Sequence, residues 1–272
     1  MRMERSEALN HGPAMNASAS TGKGLPPLAA DLVEARYSLT TGNRSVPAVP
    51  PDGLTGLVLI EGRVWWLGPQ SRPWRPERSG VEVVGVRIAM HWGQAIAGEP
   101  LNNFLDARIP VEELPGWSTE PISENRLLPG TPADHLTAMV NDRASHLAVN
   151  PWISRIAGRI RAGGHSVAEL ADISGLSVRQ LHRRCLTCFG LPPSILMRIS
   201  RLHRAAARVP RLGNLDLSNL AVATGYFDQS HLNRETRQLA GEPPTKAFAV
   251  ASNVRFVQYP PSDRSVALDS TR

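Results

Sequence analysis

The feature that most constrains this chain is an internal repeat. Leu170-Ala171-x-x-x-Gly175-Leu176 recurs 50 residues later as Leu220-Ala221-x-x-x-Gly225-Tyr226. After one added residue the match resumes at a spacing of 51, pairing Ser177 with Asp228, Leu181 with Leu232 and Arg183 with Arg234. Self-similarity at a fixed period marks one supersecondary unit used twice. Each position has a reason in a helix-turn-helix. Small Ala171 and Ala221 let a second helix cross closely. Gly175 and Gly225 stand where the chain must turn, with positive φ expected. Ser177 and Asp228 are N-cap residues for the helix that follows, and Leu181 and Leu232 anchor that helix.

The same helix leaves a polar face exposed. It carries Val178, Arg179, His182 and Arg183 in the first copy, and Gln229, Ser230, Asn233 and Arg234 in the second. Such side chains can hydrogen-bond base edges in a major groove, and a helix N-terminus favours phosphate. One copy would also suit an ordinary all-α domain with a solvated basic face; two copies with polar groups at matching positions favour DNA. Charge agrees. Residues 151–250 hold 14 Lys and Arg against 6 Asp and Glu, while the rest of the chain holds 16 against 18. The positive surplus is confined to the segment that would meet a polyanion. Ser194 to Val209 reads as one helix of roughly 24 Å, a spacer able to set two recognition helices about one DNA turn apart.

Residues 1–24 lack periodicity and read as a disordered leader. Ala29 to Tyr37 is expected as a short helix. Leu57–Ile60 and Arg63–Leu67 read as two strands around Glu61-Gly62, and Val81–Ile88 as another. An antiparallel β domain, 25–120, is expected, with Pro100–Leu114 as short helical or turn pieces on its edge. Thr131 can cap and Pro132 open a helix bearing Leu136, Met139, Val140 and Leu147. Asn150 and Pro151 start another, bearing Trp152, Ile153, Ile156 and Ile160 and ended by Gly163-Gly164. Residues 121–150 are expected as linker and connecting helix, 151–250 as the DNA-binding domain and 251–272 as a tail.

The helical segment resembles the AraC/XylS family of bacterial regulators. The resemblance rests on Val167-Ala168-Glu169-Leu170-Ala171, Gly175-Leu176-Ser177, Gly190-Leu191-Pro192-Pro193, Arg201-Leu202-His203-Arg204-Ala205, and Gly225 through Arg234 with Gly241 and Pro244. It implies two helix-turn-helix subdomains joined by a helix and bound in adjacent major grooves. Carried over by position, Arg179, His182 and Arg183 match the first set of base readers, and Gln229, Ser230, His231 and Arg234 the second. The family usually has Phe where Cys185, Leu232, Thr236 and Ala240 stand, and an apolar residue at Glu242. An unfilled loss of each large side chain costs about 2–4 kcal/mol, so the second unit is expected to pack less tightly and to be the weaker reader. The N-terminal part resembles, less closely, a sensor domain found ahead of such units. Pro51-Asp52-Gly53, Trp65-Trp66-Leu67-Gly68-Pro69, Gly85-Val86-Arg87 and Arg108 to Leu114 carry that likeness, which implies a β barrel-like regulatory module. Trp65, Trp66, Trp74, Arg87 and His91 are candidates for an effector pocket.

The expected fold is therefore α+β: an antiparallel, barrel-like sensor domain followed by an all-α domain with two helix-turn-helix motifs. The expected function is a sequence-specific regulator of transcription, an activator by resemblance. Double-stranded DNA and RNA polymerase are the expected partners, with a small-molecule effector and a homodimer as further candidates. The rival reading is a partner-binding or anti-regulatory protein with a degenerate DNA module. No Ser-His-Asp set, phosphate loop or metal triad has a useful spacing, so neither enzyme chemistry nor a cofactor is expected. Cys185 and Cys188 mimic a C-x-x-C motif, but no second pair stands at zinc spacing. No stretch reaches the roughly 18 consecutive apolar residues of a membrane span, and the N-terminus lacks the apolar core of a signal peptide. The expected location is the cytoplasm, on the nucleoid.

Overall fold

The structure is a computed structural model, and it describes residues 31–40, 48–74, 80–117, 130–209 and 216–253. The expected leader, the tail from residue 254, and most of the expected linker's first part lie outside these residues.

Five strands form one antiparallel sheet: β1 (Val33–Thr40), β2 (Thr55–Ile60), β3 (Arg63–Leu67), β4 (Glu82–Ile88) and β5 (Arg108–Pro110), in the order β1-β4-β2-β3-β5. The sheet is open rather than closed into a barrel. The helix expected over Ala29–Tyr37 gives way from Val33 to strand β1, which pairs along β4 from Val33↔Ile88 to Thr40↔Glu82. A partner some fifty residues away decides the strand. Glu61 and Gly62 turn β2 into β3 with φ of 48° and 78°, the sense that matches strand twist.

Alternation sorts the sheet into two apolar faces. Leu57, Val64, Trp66, Val86 and Ile88 face one way. Val58, Val83 and Tyr37 face the other, with Ile60, Trp65 and Leu67 beside them. The first face is covered by α1 (Gly93–Ala97), by the 3-10 turns Leu101–Phe104 and Val111–Glu113, and by α2 (Pro132–Ala144). Thr131 caps α2 in a reciprocal box with Asp134. This helix was expected as a connector; instead Leu136 and Val140 are fully buried in the sheet's own core.

The helical half comprises α3 (Pro151–Ala162), α4 (Val167–Ile173), α5 (Val178–Phe189), α6 (Pro193–Arg208), α7 (Leu217–Ala223), α8 (Gln229–Ala240) and α9 (Pro244–Asn253). Its core gathers Ile156, Leu170, Leu181, Phe189, Leu196, Leu202, Leu220, Leu232 and Phe248. No described helix is long and apolar enough to cross a membrane.

The two halves meet over α6. Leu54 and Met90 of the sheet half belong to the helical core. Gly53 has φ of 71°, and a Cβ there would lie 3.4 Å from Leu196 and 3.8 Å from Ile199 of α6. A Cβ would thus make only ordinary contacts there; glycine is needed for the left-handed turn that seats the loop on α6. Around this loop lies a buried polar cluster. The Pro51 carbonyl is 2.8 Å from Nε2 of buried His203 on α6. The Asp52 carboxylate accepts the Leu54 amide at 3.0 Å and pairs with Arg87 Nε at 2.8 Å. Glu34 of β1 pairs with Arg161 of α3 at 2.7 Å.

Burial pushes the Glu34 carboxyl up to about 7; Arg161 opposes this and Asp52 adds to it. The folded chain thus holds this proton to about pH 7, whereas the unfolded chain releases it near 4.5. The stability it contributes is complete below pH 4.5 and lost as pH rises through 7. Burial holds His203 below its ordinary value, outweighing the Pro51 carbonyl and Asp52, and its linkage opposes folding as pH falls. The two slopes are separated by substitution. Relative to the native chain, Glu34→Gln is expected to remove a loss of about 3 kcal/mol between the acid plateau and pH 8. Denaturant titrations across pH check this, and parallel curves for the two proteins would refute it.

Candidate nucleic-acid interface

Both turns of the repeat close in the same way. Leu176 N–H donates to the Ala171 carbonyl at 3.0 Å, and Tyr226 N–H to the Ala221 carbonyl at 2.9 Å. These are six-to-one bonds around a left-handed residue, with Gly175 at φ 64° and Gly225 at φ 84°. Ser177 then caps α5, accepting from Gln180 N, while the Gln180 side chain accepts from Ser177 N. Asp228 caps α8, accepting from His231 N at 2.6 Å. Each second helix therefore leaves its turn on a fixed heading.

Val178, Arg179, His182 and Arg183 are exposed on α5, and Gln229, Ser230 and Arg234 on α8. Asn233 is half-buried. The Gln229 side chain accepts a hydrogen bond from Ser218 Oγ on α7 at 2.9 Å. His231 is placed differently from the others. Its Nδ1 accepts the Phe227 amide at 3.4 Å, its ring lies edge-on to Tyr226 at 5.3 Å, and Nε2 is 3.8 Å from Glu235. This side chain is turned into the second unit and braces it.

The second unit is filled by means other than those the missing aromatics suggested. Leu232, Thr236 and Ala240 are all 0% exposed, and they share burial with Tyr226, Leu239 and Phe248. Thr236 Oγ satisfies itself on the Leu232 carbonyl at 2.8 Å. Buried Glu235 receives Arg198 of α6 at 3.0 Å, and Arg198 also donates to Gln238. Arg201 of α6 lies 5.2 Å over the Tyr226 ring. Tyr226 and Phe248, outside α8, are buried in the same core as these small α8 side chains. Glu235, Arg198 and Arg201 carry this joint; Arg201 stood in the family-like segment without a role, and Glu235 and Arg198 were not singled out by sequence. A carboxylate between two buried α8 positions was the available signal.

In the first unit Cys185 occupies a core position at 0% exposure, and Cys188 is also buried. Both thiols are free, and burial pushes Cys185 up to about 12. Among the described residues no group of three or more His, Cys, Asp or Glu is placed to hold a metal.

The five residues proposed for an effector pocket do not converge. Trp66 is fully buried on the helix-covered face, edge-on to Phe104. Trp65 lies on the opposite face between Arg63 and Arg108, 4.8 and 5.0 Å from its ring. Trp74 and Arg87 do share a cavity on that face with Tyr37 and Gln70, but its volume is ≈ 20 Å³, about that of one water. His91 lies elsewhere, in an open cleft of ≈ 660 Å³ between the two halves, with Gln94, Trp152, Arg183 and Arg184.

Residues 170–249 match the family model described as a helix-turn-helix domain. No curated protein matches the chain. Among solved structures, ToxT from Vibrio cholerae O395 is 8% identical with a TM-score of 0.44, covering 79% of this chain and 96% of that one. A fatty-acid-bound ToxT from Vibrio cholerae strain SCE256 is 10% identical with a TM-score of 0.41, over 80% and 94% of the two chains. The transcriptional regulator CdpR from Pseudomonas aeruginosa is 17% identical with a TM-score of 0.31, over 63% of this chain and 46% of that one.

A filled second unit makes a specific prediction. Leu232→Phe restores the family's usual residue and is expected to lower stability by about 1–3 kcal/mol, because the added volume has no void to enter. Chemical denaturation checks it; a gain in stability would mean that the unit is underpacked.

Proposed function

We propose that this chain, whose residues 170–249 form a DNA-binding helix-turn-helix domain of the AraC type, is a sequence-specific regulator of transcription that reads duplex DNA with both α5 and α8. The observation that carries the reading is the pair of matched turns, each delivering a capped helix with exposed polar residues at its N-terminal end. Arg179, His182 and Arg183 are the readers of the first box; Gln229, Ser230 and Arg234 are those of the second, with Asn233 beside them. His231 acts from behind them as a brace. The filled core of the second unit supports two working readers over the reading as a degenerate module with another purpose.

The sheet half is the regulatory half in this account. Its loop Pro51–Leu54 seats on α6, which carries both readers, so a change in the sheet is passed to the readers through that contact. Activation, with RNA polymerase as a partner and a homodimer as the working form, extends the reading on the family resemblance.

Selection of random duplexes on the full chain tests the proposal. A single enriched sequence with two boxes is expected, and Arg183→Ala is expected to relax the preference at one base pair of the first box by about 10- to 100-fold. Recovery of no enriched sequence would overturn the reading. A uniform loss of affinity on all sequences would assign Arg183 to phosphate.

A further inference from the structure

The two copies of the repeat are out of step by one residue, and that residue is Phe227. Gly175-Leu176 matches Gly225-Tyr226, and Ser177 matches Asp228, which leaves Phe227 without a counterpart. Its side chain is 88% exposed, the most of any large apolar residue among those described. A lone exposed apolar side chain is ordinary on a protein surface. Phe227 differs in where it stands and in how firmly it is held.

It precedes the N-cap of α8, at the helix end that carries Gln229 and Ser230. Both of its neighbours are anchored. Tyr226 is buried on one side, and Asp228 caps the helix on the other. Its own amide donates to His231 Nδ1, and the His231 ring is packed against Tyr226. The backbone therefore presents the phenyl ring from a fixed turn. In the first unit Val178, half-exposed as the first residue of α5, is the apolar group at the corresponding end.

The N-terminal residues of a recognition helix are those that approach base edges. The major groove offers one apolar feature to a ring placed there, the C5 methyl of thymine. We infer that Phe227 is a specificity-determining residue, packing its ring on a thymine methyl in the box read by α8. The inference rests on the reading of the chain as a two-box DNA binder.

The test uses the full chain and its selected duplex, with each thymine replaced singly by deoxyuridine, which removes only the methyl. One thymine of the second box is expected at which this replacement weakens the native chain by about four-fold, the value of one buried methyl. Phe227→Ala, at an exposed site, is expected to lose that discrimination while keeping the response at every other thymine. The inference is overturned if Phe227→Ala keeps the full native pattern of thymine preference, or if no thymine of the second box responds. It is also overturned if the variant binds every duplex as the native chain does and loses only transcriptional output, which would assign the ring to a protein partner. Failure to select any duplex would remove the two-box reading itself, a result distinct from the others.

Discussion

Helix α6 is held from three directions, and the arrangement of both readers depends on that contact. Toward the sheet, His203 meets the Pro51 carbonyl, and the left-handed turn at Gly53 lies beside Leu196 and Ile199. Toward the helix that leads into the first unit, Ser200 Oγ donates to the Arg161 carbonyl at the end of α3. Toward the second, Arg198 reaches Glu235 and Arg201 covers Tyr226. A helix fixed on three sides cannot rotate for one partner without disturbing the others. The geometry that makes it a spacer between readers also makes it the route from the sheet.

The polar groups at this centre are few and interlocked. Asp52 pairs with Arg87 beneath the loop whose carbonyl holds His203, and Glu34 pairs with Arg161 alongside. A buried ion pair such as Asp52–Arg87 contributes little net stability, yet losing one partner leaves a costly charge. These groups define which docking is accepted. The apolar contacts of Leu54 and Met90 with the helical core provide the attraction.

Much of the helical half was legible because its signals are local. The glycines of the two turns, the caps Ser177 and Asp228, and the anchors Leu181 and Leu232 act within a few residues of where they stand. The strands β2, β3 and β4 were legible from alternation and from Glu61-Gly62. Elements set by distant partners were not. Strand β1 depends on β4, and α2 belongs to the sheet because Leu136 and Val140 find its inner face. The docking cluster joins residues 34, 52, 87, 161 and 203, which no spacing rule connects. The second unit looked hollow because its α8 positions are small; yet Leu232, Thr236 and Ala240 are wholly buried, in a core that also holds Tyr226 and Phe248 from outside that helix. Trp65, Trp66, Trp74, Arg87 and His91 looked like one pocket because the types suit a ligand, but strand alternation sends Trp65 and Trp66 to opposite faces.

The central claim is that one rigid helix sets both readers on the duplex at once. The most direct measurement compares binding to the selected duplex with binding to the same duplex carrying five extra base pairs between its boxes. Half a turn places the boxes on opposite faces of the duplex. The account predicts that affinity falls to that of a single box, with the footprint shortened to one box. Unchanged affinity with both boxes still protected would contradict it, because the two units would then have to move independently.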